Sequence, residues 1–194
     1  MSKGFFKALA GTFLLAGASM AWGASSHHTP GGSSITCENI PSFNAQKRVS
    51  SCILHGNSSY HTPGGSSITC KAKTSIHFDQ KGRVTTCSLA GNSSYHTPGG
   101  SSITCKSGTV INFNETGRVT SCSLAGNSSY HTPGGSSITC KAGTSIHFDT
   151  KGRVSSCTLA GNSSYHLPNG SSVTCKGGQG ISFDDKGRVR SCGQ

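Results

Sequence analysis

Residues 127–161 read NSSYHTPGGSSITCKAGTSIHFDTKGRVSSCTLAG, and close copies of this run fill the chain on either side of it. The cysteines mark the copies. They stand at Cys37, Cys52, Cys70, Cys87, Cys105, Cys122, Cys140, Cys157, Cys175 and Cys192, and from Cys52 onward their spacing alternates between 18 and 17 residues. Self-similarity at such a period is the signature of stacked repeats. Five units follow, approximately 25–54, 55–89, 90–124, 125–159 and 160–194. The first is degenerate: its interior ENIPSFNAQKR lacks the Gly-Thr and Lys-Gly turn signals of the later copies.

Within a unit, SSITC, SIHF and RVSSC are short runs with β-branched and aromatic residues, separated by TPGG, KAGT and DTKG. Such runs between turn residues predict strands, and Gly and Ser at this density penalise a helix throughout. Ile138 and Cys140 share a strand face, as do Ile146 and Phe148, and Cys157 and Leu159. One unit therefore offers a thin apolar face of about six side chains, and stacking turns such faces into a core. The predicted fold class is all-β: tandem 35-residue repeats forming a disulfide-stapled β-solenoid or an elongated repeat sheet.

The N-terminus, MSKGFFKALAGTFLLAGASMAWGASS, places Lys3 and Lys7 before an apolar stretch from Ala8 to about Ala18 and then small residues. This is the pattern of a secretory signal peptide over residues 1–24, cleaved after about Ala21 to Ala24. The apolar run is too short to span a bilayer, so no transmembrane segment is expected in the mature chain. The expected location is exported: periplasmic, cell surface or extracellular. Export also explains ten cysteines in so small a chain, since an oxidising compartment makes them a disulfide framework.

The pairing follows from geometry. In a flat meander Cys70 and Cys87 would lie roughly 9 to 10 Å apart, on strands separated by a third, whereas a disulfide needs a Cα separation of about 4.4 to 6.8 Å. Pairing between units would leave Cys37 and Cys192 without partners. Pairing within units leaves none, and it requires each unit to curl as a coil or a two-layer wrap. The expected bridges are Cys37 with Cys52, Cys70 with Cys87, Cys105 with Cys122, Cys140 with Cys157 and Cys175 with Cys192.

The segment F-D-x-K-G-R-V at 78–84, 148–154 and 183–189, with F-N-E-T-G-R-V at 113–119, resembles the hairpin of MORN-like repeats in bacterial exported proteins. The likeness covers about a third of each unit. The period here is longer than a typical MORN unit, and Cys stands where that family tends to have Gly. The resemblance implies a β-hairpin repeat sheet with an interaction or scaffold role, and it carries over no catalytic residue.

Four groups of residues offer chemistry. His61, His96, His131 and His166 recur after Tyr60, Tyr95, Tyr130 and Tyr165; in a coil-per-unit solenoid the imidazoles would form a ladder about 4.8 Å apart, near enough to share a metal ion. No second ligand type recurs beside them and no zinc-like spacing occurs, so no metal or other cofactor is expected. Serines abound, but no carboxylate recurs in all five units to orient a Ser-His pair, so no catalytic site is expected. The N-S-S sequons at Asn57, Asn92, Asn127 and Asn162 would be glycan acceptors only in a eukaryotic secretory pathway.

The basic residues say more. The formal charge of +11 falls to +9 without Lys3 and Lys7, against six carboxylates. Lys71, Lys106, Lys141 and Lys176 follow the first cysteine of four units, and Arg48, Arg83, Arg118, Arg153 and Arg188 recur in all five. Stacking would align them in rows of like charge that attract a linear polyanion. The expected function is therefore a non-catalytic binding or adhesion module, with anionic polysaccharide, lipopolysaccharide or nucleic acid as partner. The alternative is a structural protein that assembles end to end into filaments or a surface layer, through the open strand edge of the last unit. A third reading is His/Cys metal binding.

Overall fold

A computed structural model describes residues 23–193; the expected leader lies, but for its last two residues, outside them. Every element described is a strand. Unit one supplies β1 (Ser25–His28), β2 (Ser34–Cys37), β3 (Ser42–Phe43) and β4 (Val49–Ile53); unit two supplies β5 (Ser58–His61), β6 (Ser67–Cys70), β7 (Ser75–Phe78) and β8 (Val84–Ser88). Unit three holds β9 (Ser93–His96), β10 (Ser102–Cys105), β11 (Val110–Phe113) and β12 (Val119–Ser123), and unit four β13 (Ser128–His131), β14 (Ser137–Cys140), β15 (Ser145–Phe148) and β16 (Val154–Thr158). Unit five completes the series with β17 (Ser163–His166), β18 (Ser172–Cys175), β19 (Gly180–Phe183) and β20 (Val189–Cys192).

The last two strands of each unit join one antiparallel sheet of ten strands, ordered β3-β4-β7-β8-β11-β12-β15-β16-β19-β20. The first two strands of each unit form a separate hairpin. This is the elongated repeat sheet rather than the solenoid, because each unit contributes two neighbouring antiparallel strands instead of one coil. Alternation sets the layers: Ile68 and Cys70 of the hairpin and Ile76, Phe78, Val84 and Cys87 of the sheet are buried, while the residues between them face outward.

The disulfides join the layers. Cys70 lies on the hairpin strand β6 and Cys87 on the sheet strand β8, with Cα atoms 5.9 Å apart. The other four pairs are those expected from the spacing, at 5.6 to 5.9 Å. Beside each bridge the layers also share backbone hydrogen bonds: Lys71 N donates to Ser88 O at 2.8 Å and Ala90 N to Thr69 O at 3.0 Å. Closing a loop of this length is worth about 3 kcal/mol in the chain-entropy model. It adds to the burial of Tyr60, Ile68, Ile76, Phe78, Val84 and Leu89 in unit two and of their counterparts in units three and four. Tyr60 of the hairpin meets Phe78 of the sheet edge-on at 5.2 Å, and Tyr95–Phe113, Tyr130–Phe148 and Tyr165–Phe183 repeat the contact.

At the edge opposite those shared hydrogen bonds, units lock to their successors through glycine. TPGG and DTKG each make a tight turn closed by a backbone bond over four residues, such as Gly100 N to Thr97 O and Gly152 N to Asp149 O. Their final glycines are left-handed, at φ 85° and 78°. Gly99 of unit three then packs directly on Gly152 of unit four: a β-carbon on Gly152 would stand 2.0 Å from Gly99 N. The pairs Gly31–Gly82, Gly64–Gly117 and Gly134–Gly187 do the same at the other three junctions. The two ends depart from this rule. Lys47 takes the left-handed position of the unit-one turn at φ 57°, and Asn169 replaces the first turn glycine in unit five. Leu167 replaces the buried threonine (Thr29, Thr62, Thr97, Thr132) of the other units and packs against the core.

Substitution separates the two kinds of turn glycine. Gly100→Ala meets open space and bears only left-handed strain, about 1 to 2 kcal/mol. Gly152→Ala carries that strain and also drives a methyl into the neighbouring backbone, adding about 1 to 3 kcal/mol or more. Urea denaturation of the two variants should rank them in that order, and equal losses would show that the glycine contact does not bind the units.

Candidate functional site

Strand direction decides where the basic residues go. As in unit four, the chain of each unit runs up one hairpin strand, through the TPGG turn, back along the second, through the turn that holds KAGT, and out again along the first sheet strand to the turn that holds DTKG, with substitutions at these turns in the other units. One strand separates Lys71 from Arg83, so the two sit at opposite edges. The eight residues expected to form a polyanion surface therefore divide into two rows. Lys71, Lys106, Lys141 and Lys176 line one edge, and Arg83, Arg118, Arg153 and Arg188 line the other.

Three of these four arginines are paired within their edge, while Lys47, Lys81, Lys151 and Lys186 in the same turns are exposed and pair with no carboxylate among the described residues. Asp79 Oδ1 accepts the backbone N–H groups of Lys81 and Arg83, at 2.8 and 2.9 Å, while Oδ2 accepts Arg83 Nε at 2.7 Å. Arg83 Nη1 reaches across the layers to donate to Pro63 O in the TPGG turn, at 2.9 Å. Arg153 with Asp149 and Pro133 repeats this arrangement, as does Arg188 with Asp184 and Pro168. These arginines clamp one turn on the other. Arg118 differs, because Asn114 replaces the aspartate and no carboxylate pairs with the guanidinium among the described residues; it lines a small cleft with Ser66, His96 and Thr116. Asp79, Glu115, Asp149, Asp184 and Asp185 all lie in turns at this edge.

The lysine edge carries fewer carboxylates. Lys71, Lys106, Lys141 and Lys176 are exposed and pair with no carboxylate among the described residues. Their side chains lie along the edge. Lys71 Nζ is 3.7 Å from where a β-carbon on Gly108 of the next unit would stand, and Lys106 and Lys141 take the same position over Gly143 and Gly178. The only carboxylate at this edge among the described residues is Glu38, at the lysine's place in unit one; it pairs with Lys73 and with His55 Nδ1. Lys73 occupies the left-handed turn position, φ 61°, that glycine holds in the later units.

Two strands per unit set the repeat along this edge at about 9.6 Å. That slightly exceeds the Debye length of about 8 Å at physiological salt, so the lysine row needs no bound anion in order to fold. The same spacing corrects the histidine ladder: the 4.8 Å interval belonged to the solenoid, and here successive hairpin histidines recur once per two strands. Tyr and His of each Tyr-His pair diverge, with the tyrosine buried on phenylalanine and the histidine exposed. All ten cysteine sulfurs are in disulfides. No group of three or more His, Cys, Asp or Glu side chains is placed to hold a metal ion among the described residues.

The broad outer face of the sheet carries a polar row, in register from Ser42 through His77, Asn112 and His147 to Ser191. Asn112 links its neighbours, accepting from Thr86 Oγ1 and donating to Ser121 Oγ, each at 2.9 Å. The sequon asparagines have a local task that their motif does not announce. Asn57, Asn92, Asn127 and Asn162 each accept, through Oδ1, a backbone N–H of the Lys-x-Gly turn in their own unit, at 2.7 to 2.8 Å. The signal was their constant offset of 15 residues from that turn.

No protein-family model matches the chain, and no curated protein matches it. Solved structures of the wild-type TCP10 domain of Danio rerio CPAP, alone and in complex with a peptide of Danio rerio STIL, match at 15% sequence identity. Each covers 88% of this chain and 99% of that one, at a TM-score of 0.17. A likeness at that score carries no argument. Five disulfides are the chemistry of an oxidising compartment, and among the described residues no helix is long and apolar enough to cross a membrane.

The aspartates give the fold a pH signature. Burial tends to raise the pKa of Asp79 and Asp149; the arginine's backbone N–H, its guanidinium and the lysine N–H outweigh it and hold both below the ordinary value. For Asp184 the backbone N–H of Arg188 is the leading cause in the same direction. A carboxyl whose pKa is lower folded than unfolded adds stability above its unfolded value, about 3.9, and loses it as pH falls through the folded one. Thermal midpoints should hold steady down to about pH 4 and then drop. Asp149→Asn should make that drop shallower, and an unchanged acid limb in this variant would remove the turn aspartates as its cause.

Proposed function

We propose that the protein is an exported, non-catalytic binding module whose lysine edge holds an anionic polymer or surface. The observation that supports this reading most directly is the segregation of charge. Five of the six carboxylates stand at the arginine edge, together with Lys47, Lys81, Lys151 and Lys186, while the other edge presents four unpaired lysines in line with Glu38 as its single carboxylate among the described residues. The secretory leader and the disulfides support export, and the MORN-like segment points toward the same binding or scaffold role. Adhesion to an anionic cell surface is this same contact made by many copies at once.

End-to-end assembly is disfavoured by the glycine junctions. A further unit docking on unit five would need a glycine where Asn169 stands, and one docking before unit one would need a glycine at Lys47. Both residues carry the β-carbon that the junction excludes.

Binding to heparin or DNA should therefore weaken with salt. Four lysine contacts give a slope of log K against log salt of about −3 to −4. The variant Lys71→Gln/Lys106→Gln/Lys141→Gln/Lys176→Gln should lose most of that affinity, while Arg118→Gln should lose little. Absence of binding at low salt, or binding indifferent to salt, would dispose of the reading. The parent chain should run as a monomer in size-exclusion chromatography with light scattering, and filaments in micrographs would favour assembly instead.

A further inference from the structure

The lysine edge has a period as well as a charge, and the period selects among polyanions. One lysine recurs every two strands, about 9.6 Å. A ligand that lies straight along the edge and satisfies each lysine must offer a negative group at that interval. Each strand of a nucleic acid duplex carries a phosphate about every 3.4 Å of helix axis, roughly three for each lysine, and two of the three would face no cation. An extended polysaccharide behaves differently. A pyranose ring in a straight chain is about as long as one strand spacing, about 4.8 Å, so a disaccharide spans one unit.

The groups between the lysines point the same way. Thr74, Thr109 and Thr144 stand half-exposed in the edge turns, each donating its hydroxyl to the carbonyl of the unit's lysine at 2.7 Å. Ser123 and Ser145, paired across β12 and β15, continue this uncharged hydroxyl surface onto the sheet. Hydroxyls suit the hydroxyls of a sugar. Bases would need exposed aromatic platforms to stack upon, and Tyr60, Tyr95, Tyr130 and Tyr165 are buried. Phe43 is the one large aromatic exposed among the described residues, and it lies in unit one, away from the lysine row.

We propose that the lysine edge accommodates an extended acidic polysaccharide bearing one negative group on every second sugar, with one disaccharide laid along each unit. The assignment rests on the polyanion reading above and narrows it. Lys71, Lys106, Lys141 and Lys176 take the anionic groups in turn, and the edge threonines meet the neutral sugars. The unit-one end is closed to this ligand by Glu38, whose carboxylate repels an anion and whose pairing with Lys73 removes that cation from the row.

Size-defined hyaluronan fragments, with one carboxylate per disaccharide, test the match in calorimetric titrations at low salt. Oligothymidylate and polyglutamate of equal charge number serve as comparisons. Affinity for the fragments should climb with each disaccharide up to four and then level off, and should exceed that of both comparisons. Lys106→Gln should lower affinity for the four-disaccharide fragment about two- to fivefold, the scale of one exposed ion pair. Equal affinity for all three polymers, or no dependence on fragment length, would overturn the polysaccharide assignment while leaving polyanion binding intact. Failure of all three to bind would remove both.

Discussion

The bond between the two cysteines of a unit is the constraint on which the other features rest. A four-residue strand that alternates exposed and buried positions can bury only two side chains, so the hairpin and the sheet strands of one unit share a very small core. Joining Cys105 to Cys122 holds the layers together where apolar area alone would not, and it fixes the register in which Tyr95 meets Phe113. Once the layers are fixed, the second hairpin strand must turn at Lys106 and the first sheet strand must turn at Asn114. The separation of lysines from arginines follows from those reversals. The surface chemistry is thus a by-product of how a thin repeat is folded shut.

The arginines illustrate how a row of like residues can recur for structural reasons. Arg83, Arg153 and Arg188 carry positive charge at a constant phase, as a contact surface would. Each nevertheless spends its donors on an aspartate four residues back and on a proline carbonyl twenty residues back. Their recurrence is explained by the clamp between two turns. The lysines recur equally well and make no such bonds, so the two rows can be told apart only by what their side chains touch.

Much of the fold was legible in the residues. Strands, turns, five units and the disulfide pairing follow from alternation, glycine placement and the distance that a disulfide spans. The choice between solenoid and sheet was not legible, because a 35-residue period of short strands fits one coil or two hairpins equally well. The two edges could have been foreseen, since a single strand, Ser75–Phe78, lies between Lys71 and Arg83 and must carry the chain from one side to the other. The glycine junctions could not: Gly99 and Gly152 are far apart in sequence, and nothing local to TPGG tells which glycine supplies a left-handed turn and which gives way to a neighbour. Asn57 was hidden for another reason. Its N-S-S context has a familiar reading, whereas its bond to Ala72 N depends on a turn in the next part of the unit.

The substitutions at Lys47 and Asn169 also bear on how such a chain can change its size. A unit copied into the interior inherits glycines at both of its contacts and fits between existing neighbours. A copy added outside either end would meet a side chain instead. A unit inserted in the middle would lengthen the lysine edge by one cation and about 9.6 Å and leave both outer junctions unchanged. The array behaves as a ruler marked in units, with side chains rather than glycines at its two outer junctions.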